Sequence, residues 1–210
     1  MIEYFNEDCV QGMKQYPDKY FDLAIVDPPY GINVQGGFGR RKRDNISYKY
    51  NPCVKWDSNI PSQEYFNELM RVSKNQIIWG GNYFTEYLQP TNAWIIWDKK
   101  YNTDKLTFSM GEMAWSSLPS PMKIFYKTNN AAYSKKIHPI QKPVALYKWI
   151  LTNYAKPGYK ILDTHVGSGS SLIACYELGF DAVGFEIDKE YYDASLNRLE
   201  EVKKQIRFEF

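Results

Sequence analysis

The segment 159–188, "YKILDTHVGSGSSLIACYELGFDAVGFEID", constrains the fold more than any other stretch. A short apolar run, a glycine loop, a helical stretch starting near Ser170, a second apolar run and an acid follow one another. This order describes a strand, a tight turn, a helix and a second strand parallel to the first. Gly167 and Gly169 permit the turn and the close approach of backbone to a ligand, while the helix start offers free N–H groups. Glu186, 19 residues after Gly167 and followed by Ile187, stands where a carboxylate can accept hydrogen bonds from two ribose hydroxyls. The unit suits an adenosine-containing cofactor. No Gly-Lys-Ser/Thr follows, so it is not a phosphate-binding P-loop, and the third glycine of the dinucleotide fingerprint is missing, which lowers nicotinamide chemistry in rank.

The rest of the chain extends the same pattern. "FDLAIV" (21–26) is continuously apolar and reads as a buried strand that two prolines end. "SQEYFNELMRVSKN" has a serine N-cap and helical apolar spacing, and it leads into the strand "QIIWGG". "AWIIWDK" is a further strand, and "KPVALYKWILTNYA" a helix that Pro157-Gly158 stops before "KILDT". Strands alternating with helices predict an α/β fold: a mostly parallel central sheet with helices on both faces, in a single domain spanning residues 1–210. The segment 31–60, rich in Gly, Arg, Lys and Asn, reads as a long basic loop.

Charge is unevenly distributed. The net charge is only +2, but residues 36–55 carry +5 and residues 113–162 carry +8, leaving −11 elsewhere. Aromatic residues, among them Phe38, Tyr48, Trp115, Phe125 and Tyr133, are interleaved with both basic tracts. Solvated loops are the plainer reading; a polyanion partner fits better, because lysine and arginine neutralise phosphates and rings stack on bases. Within the first tract Arg40, Arg41, Lys42 and Arg43 are four consecutive cations, expected to meet a nucleic-acid backbone. Cys9, Cys53 and Cys175 are too scattered for a disulfide framework or a zinc site, and no metal is expected. No stretch approaches the length of a membrane span, and the acidic start "MIEYFNEDC" does not resemble a signal peptide, so a cytoplasmic location is expected.

Asp27-Pro28-Pro29-Tyr30, taken with Asp163-x-x-x-Gly167-x-Gly169, resembles the S-adenosylmethionine-dependent amino methyltransferases of DNA. The D-P-P-Y motif precedes the glycine loop by about 135 residues, the circularly permuted order of the beta class. "HPIQKP" (138–143) is similar to that class's H-P-x-x-K-P, and Asp8, after "IEYF", matches its acidic contact to the cofactor's adenine. The resemblance implies a Rossmann-like methyltransferase fold with S-adenosyl-L-methionine as cofactor. It implies catalysis by Asp27, Pro28, Pro29 and Tyr30. A cofactor site is implied from Asp8, Asp27, His138, Lys142, Pro143, Asp163, His165, Gly167, Gly169, Glu186 and Ile187. Taken singly, each piece has a duller explanation: a strand-ending turn, a loop cap, a surface acid, a packing histidine.

Aspartate at position 27 points within that family to adenine N6 in DNA. The alternatives are cytosine N4, adenine in RNA, or a nucleic-acid-binding module on a decayed scaffold. Two departures stand out: His165 replaces the family's phenylalanine and Thr164 its proline, and a histidine there is expected to charge near pH 6.5. There is also no large target-recognition insertion. Target reading is therefore expected to fall to residues 116–137, to the basic loop, or to a second copy of the chain, so a homodimer is one expectation. Pairing with a restriction nuclease is another.

Overall fold

The computed structural model describes residues 1–33, 57–100, 109–128, 137 and 141–207. His138 and the cations Arg40, Arg41, Lys42 and Arg43 lie outside the described residues, as does most of the basic loop.

In chain order the elements are β1 (Ile2–Phe5), α1 (Cys9–Met13), β2 (Phe21–Val26), α2 (Gln63–Val72), β3 (Ser73–Trp79), β4 (Ile95–Asp98), β5 (Gly111–Ser116), β6 (Lys123–Tyr126), α3 (Val144–Tyr154), β7 (Lys160–Asp163), α4 (Ser170–Glu177), β8 (Asp181–Phe185) and α5 (Lys189–Arg207). They build one eight-stranded sheet in the order β1-β8-β7-β2-β3-β5-β4-β6. All neighbours pair in parallel except at β5, which runs antiparallel to both β3 and β4.

Alternation along β2 explains why both faces are covered. Leu23 and Ile25 join Ile77, Trp79, Ile161 and Leu172 beneath α3, α4 and α5. Ala24 and Val26 point the other way, into a cluster with Ile78, Tyr65, Phe66 and Leu69 beneath α1 and α2. The expected helix boundaries hold where local chemistry sets them. Ser62 caps α2 by accepting the Tyr65 N–H, and the helix passes directly into β3. The α3 helix carries Leu146, Ile150 and Leu151 fully buried against the sheet.

The topology brings five strand tips together. The carboxyl ends of β1, β8, β7, β2 and β3 lie side by side, and from them leave Asp8, Glu186, the glycine loop, Asp27 and Gly80 respectively. In an open parallel sheet the crevice outside these ends is where ligands bind. No helix among the described residues is long and apolar enough to cross a membrane.

Candidate active site

The glycine loop follows β7, whose last residue, Asp163, is buried. Gly167 and Gly169 both adopt positive φ (52° and 77°), a backbone that side-chain-bearing residues rarely take. A Cβ on Gly169 would also come within 3.1 Å of Ser195 on α5. Asp163 holds the loop from inside, accepting the His165 N–H at 3.0 Å and the Ser171 hydroxyl. Burial pushes its carboxyl up to about 7. From behind, Arg198 of α5 donates to the Ser168 carbonyl (2.7 Å) and the Ser170 hydroxyl (2.9 Å). Sequence reading missed this guanidinium, which α5 brings in from 28 residues further along the chain.

Glu186 closes the loop from the neighbouring tip. One carboxylate oxygen accepts the Gly167 N–H at 2.8 Å, the other the Asp188 N–H at 3.0 Å, and burial raises its pKa. A carboxylate offers about four acceptor positions, so each oxygen keeps one for a ribose hydroxyl. Ile187 beside it is exposed, as an apolar surface for a ring must be. Asp8 caps α1 through the Gln11 N–H and is itself exposed. This donor and acceptor set fits an adenosine moiety.

Thr164 and His165, the two departures from the family pattern, are coupled to each other. The Thr164 hydroxyl shares hydrogen bonds with Tyr65 Oη (2.8 Å) and His165 Nδ1 (2.9 Å), and the Tyr65 ring meets the imidazole edge-on at 5.4 Å. Burial pushes His165 down to about 4. The expectation of a charge change near pH 6.5 is corrected accordingly: the imidazole is neutral there.

The D-P-P-Y motif leaves the adjacent strand. Tyr30 donates its hydroxyl to Asp27 Oδ1 at 2.6 Å, and burial, with Asp27 next to it, raises the phenol well above its ordinary pKa, so it remains a donor. The turn after it is held by Asp57, whose Oδ1 accepts the backbone N–H of Tyr30 (2.7 Å) and of Gly31 (3.1 Å). The ring stacks on exposed Tyr83 at 5.1 Å and rests against Gly80, where an added Cβ would sit 2.2 Å from Tyr30 Cε1.

Lys142 stands apart from the glycine loop's hydrogen bonds. Its Nζ pairs with Asp27 Oδ2 and, at 3.0 Å, with Glu112 Oε2, and it lies 3.4 Å from the Tyr30 hydroxyl. Pro143 is the N-cap residue of α3. Asp57 and Glu112 gave no sequence signal, because nothing local marks an acid whose partners at this site, Tyr30, Gly31 and Lys142, lie on other parts of the chain.

A family model described as DNA methylase matches residues 87–197, just over half of the chain. The chain belongs to the DNA methylase family. The putative methylase YubD of Escherichia coli (strain K12) is 24% identical over 219 residues, covering 99% of this chain and 94% of that protein. The type II methyltransferase M.HpaI of Haemophilus parainfluenzae is 37% identical over 67 residues, which are 32% of this chain and 21% of that protein. Among solved structures, the M1.HpyAVI–SAM complex superposes with a TM-score of 0.64 at 19% identity, covering 95% of this chain and 99% of that one. The fold is that of the DNA methyltransferases, and this neighbour is a complex with SAM.

Proposed function

We propose that this DNA methylase transfers a methyl group from S-adenosylmethionine to the exocyclic N6 amine of adenine in DNA, with the base turned out of the helix. The observation that carries this reading is the position of Asp27: a carboxylate and two prolines at the tip of β2, one strand from the glycine loop that follows β7.

The amine of adenine is a poor nucleophile, because its lone pair is delocalised into the ring. Acceptors that hold its two N–H groups out of the ring plane localise that pair on nitrogen. Asp27 and the backbone carbonyl of Pro28 supply those acceptors, and Pro29 fixes the backbone so that they need no reorganisation. Tyr30 offers a stacking face to the base, a contact of about 1–3 kcal/mol. Tyr83 covers that ring, so a base stacking on the same face displaces it. Bound S-adenosylmethionine supplies the methyl group as an electrophile on its sulfonium. Asp8, Asp163, His165, Gly167, Gly169, Glu186 and Ile187 would hold its adenosine end, with His138, Lys142 and Pro143 leading into α3.

The family spans N6-adenine and N4-cytosine enzymes, and the aspartate at position 27 supports the former. Arg40, Arg41, Lys42 and Arg43 supply phosphate contacts in this reading, in one domain that reads its target without a large insertion, alone or as a homodimer. Pairing with a restriction nuclease accords with the type II name of the relative M.HpaI. The test is mass spectrometry of nucleosides after incubating the protein with methyl-labelled cofactor and DNA or RNA. Label in N6-methyldeoxyadenosine is expected. Label in N4-methyldeoxycytidine or in RNA moves the substrate, and an unlabelled pool under all conditions removes the activity.

A further inference from the structure

Lys142 is a full positive charge with only 3% of its surface exposed, and it sits between two acids rather than beside one. The rings of Trp79 and Tyr30 flank its ammonium at 5.2 and 5.8 Å. Glu112, on the reversed strand β5, spends its other oxygen on Lys99 at 2.6 Å. Lys99, Glu112, Lys142 and Asp27 thus alternate in sign along a chain of contacts whose charges sum to zero. The two lysines outweigh the cost of burial and hold Glu112 below the usual carboxylate range. Lys142 in turn is held above its own by Asp27 and Glu112.

Asp27 alone would neutralise Lys142, so charge balance at the ammonium does not require Glu112. What Glu112 changes is the state of Asp27. Tyr30 already takes one position on Oδ1 and Lys142 one on Oδ2, which leaves one acceptor position on each oxygen. An ammonium with a single anionic partner competes fully for that partner against a neutral amine. A second anion at 3.0 Å draws part of its hydrogen bonding away and fixes where it stands.

We propose that Glu112 is a positioning residue for the methyl-accepting amine: by sharing Lys142 with Asp27 it keeps the Asp27 carboxylate oriented and open to the amine's N–H groups. This rests on the amino-methyltransferase reading. In this proposal the acid acts on the reaction through Lys142, which it contacts directly, and not by touching base or cofactor itself.

The test is a double-mutant cycle on the full chain. Glu112→Gln is expected to lower kcat at least tenfold while KM for DNA and calorimetric affinity for S-adenosylmethionine stay within twofold. Glu112→Asp, which keeps the charge, should recover part of the loss. In a Lys142→Met background the same Glu112→Gln change should cost less than twofold, because the residue it acts through is gone. A crystal structure of Glu112→Gln without ligands supplies a readout that needs no turnover: Nζ is expected to move out of hydrogen-bond range of residue 112 while it keeps its contact with Asp27. Losses that multiply in the double variant, wild-type kcat in Glu112→Gln, or an unmoved Nζ each overturn the proposal. A wild-type protein that methylates no nucleic acid overturns the underlying reading instead, and with it any acceptor amine to position. Should Lys142→Met fail to fold, the kcat of Glu112→Gln and Glu112→Asp with the crystal structure decide the matter.

Discussion

The tips of β7 and β8 and the tip of β2 lie side by side in the same crevice, yet they are held in opposite ways. Around the glycine loop most polar partners are near in sequence: Asp163 with His165 and Ser171, Glu186 with Gly167 and Asp188. Around D-P-P-Y they come from afar: Asp57, Glu112 and Lys142, the last separated from Asp27 by 115 residues. A cofactor-binding turn is a local device that one β-α-β unit can build. The proposed catalytic carboxylate, part-buried beside a lysine, draws on the whole sheet, including the reversed strand β5.

If the two regions divide the work in this way, variants at each should fail differently. The largest effect is expected from Asp27→Ala, which removes the acceptor for the amine: turnover should fall by at least about 1,000-fold, or roughly 4 kcal/mol, measured as labelled methyl groups incorporated into DNA. Glu186→Ala should instead raise the Kd for S-adenosylmethionine by about 10- to 150-fold, the scale of hydrogen bonds to a charged group at roughly 1.5–3 kcal/mol. Saturating cofactor should restore most of its turnover.

Gly80→Ala tests whether D-P-P-Y depends on a strand outside its own. The added Cβ meets the Tyr30 ring, and φ of +70° disfavours any side chain. Strain of about 1–3 kcal/mol is expected. The measurable results are a Tm lowered by several degrees and a turnover lowered about tenfold, with cofactor affinity nearly unchanged.

The smallest effect lies in the cofactor region. Asp163 rises from 3.8 when unfolded to about 7 when folded, so the folded chain binds the extra proton between those values. Stability therefore falls as pH rises through that window, and the cost is complete above about 7. Asp163→Asn keeps an acceptor for the His165 N–H and gives Ser171 a donor. Its Tm should exceed the wild type by a few degrees at pH 8 and converge with it near pH 4, as followed by circular dichroism.

The same contrast explains what the sequence made legible. The strand "FDLAIV", the helix capped by Ser62 and the unit around Gly167 and Glu186 were readable because capping, apolar runs and glycine turns act within a few residues. Asp57 and Glu112 were not, since an acid in a loop or on a strand looks the same whether it faces solvent or a buried lysine. Lys142 was noticed through its motif, but its pairing with Asp27 and Glu112 was not, because both acids lie on or just after other strands, far along the chain. His165 looked titratable near neutrality because burial, which keeps it neutral, is a property of the folded crevice and not of the residue type.

The division of labour between the two tips is tested most directly by one calorimetric titration, of S-adenosylmethionine into Asp27→Ala. With the glycine loop and Glu186 untouched, the expected Kd lies within threefold of the wild type. A Kd weakened more than tenfold, in a variant whose fold is intact, would contradict the assignment of Asp27 to the acceptor amine.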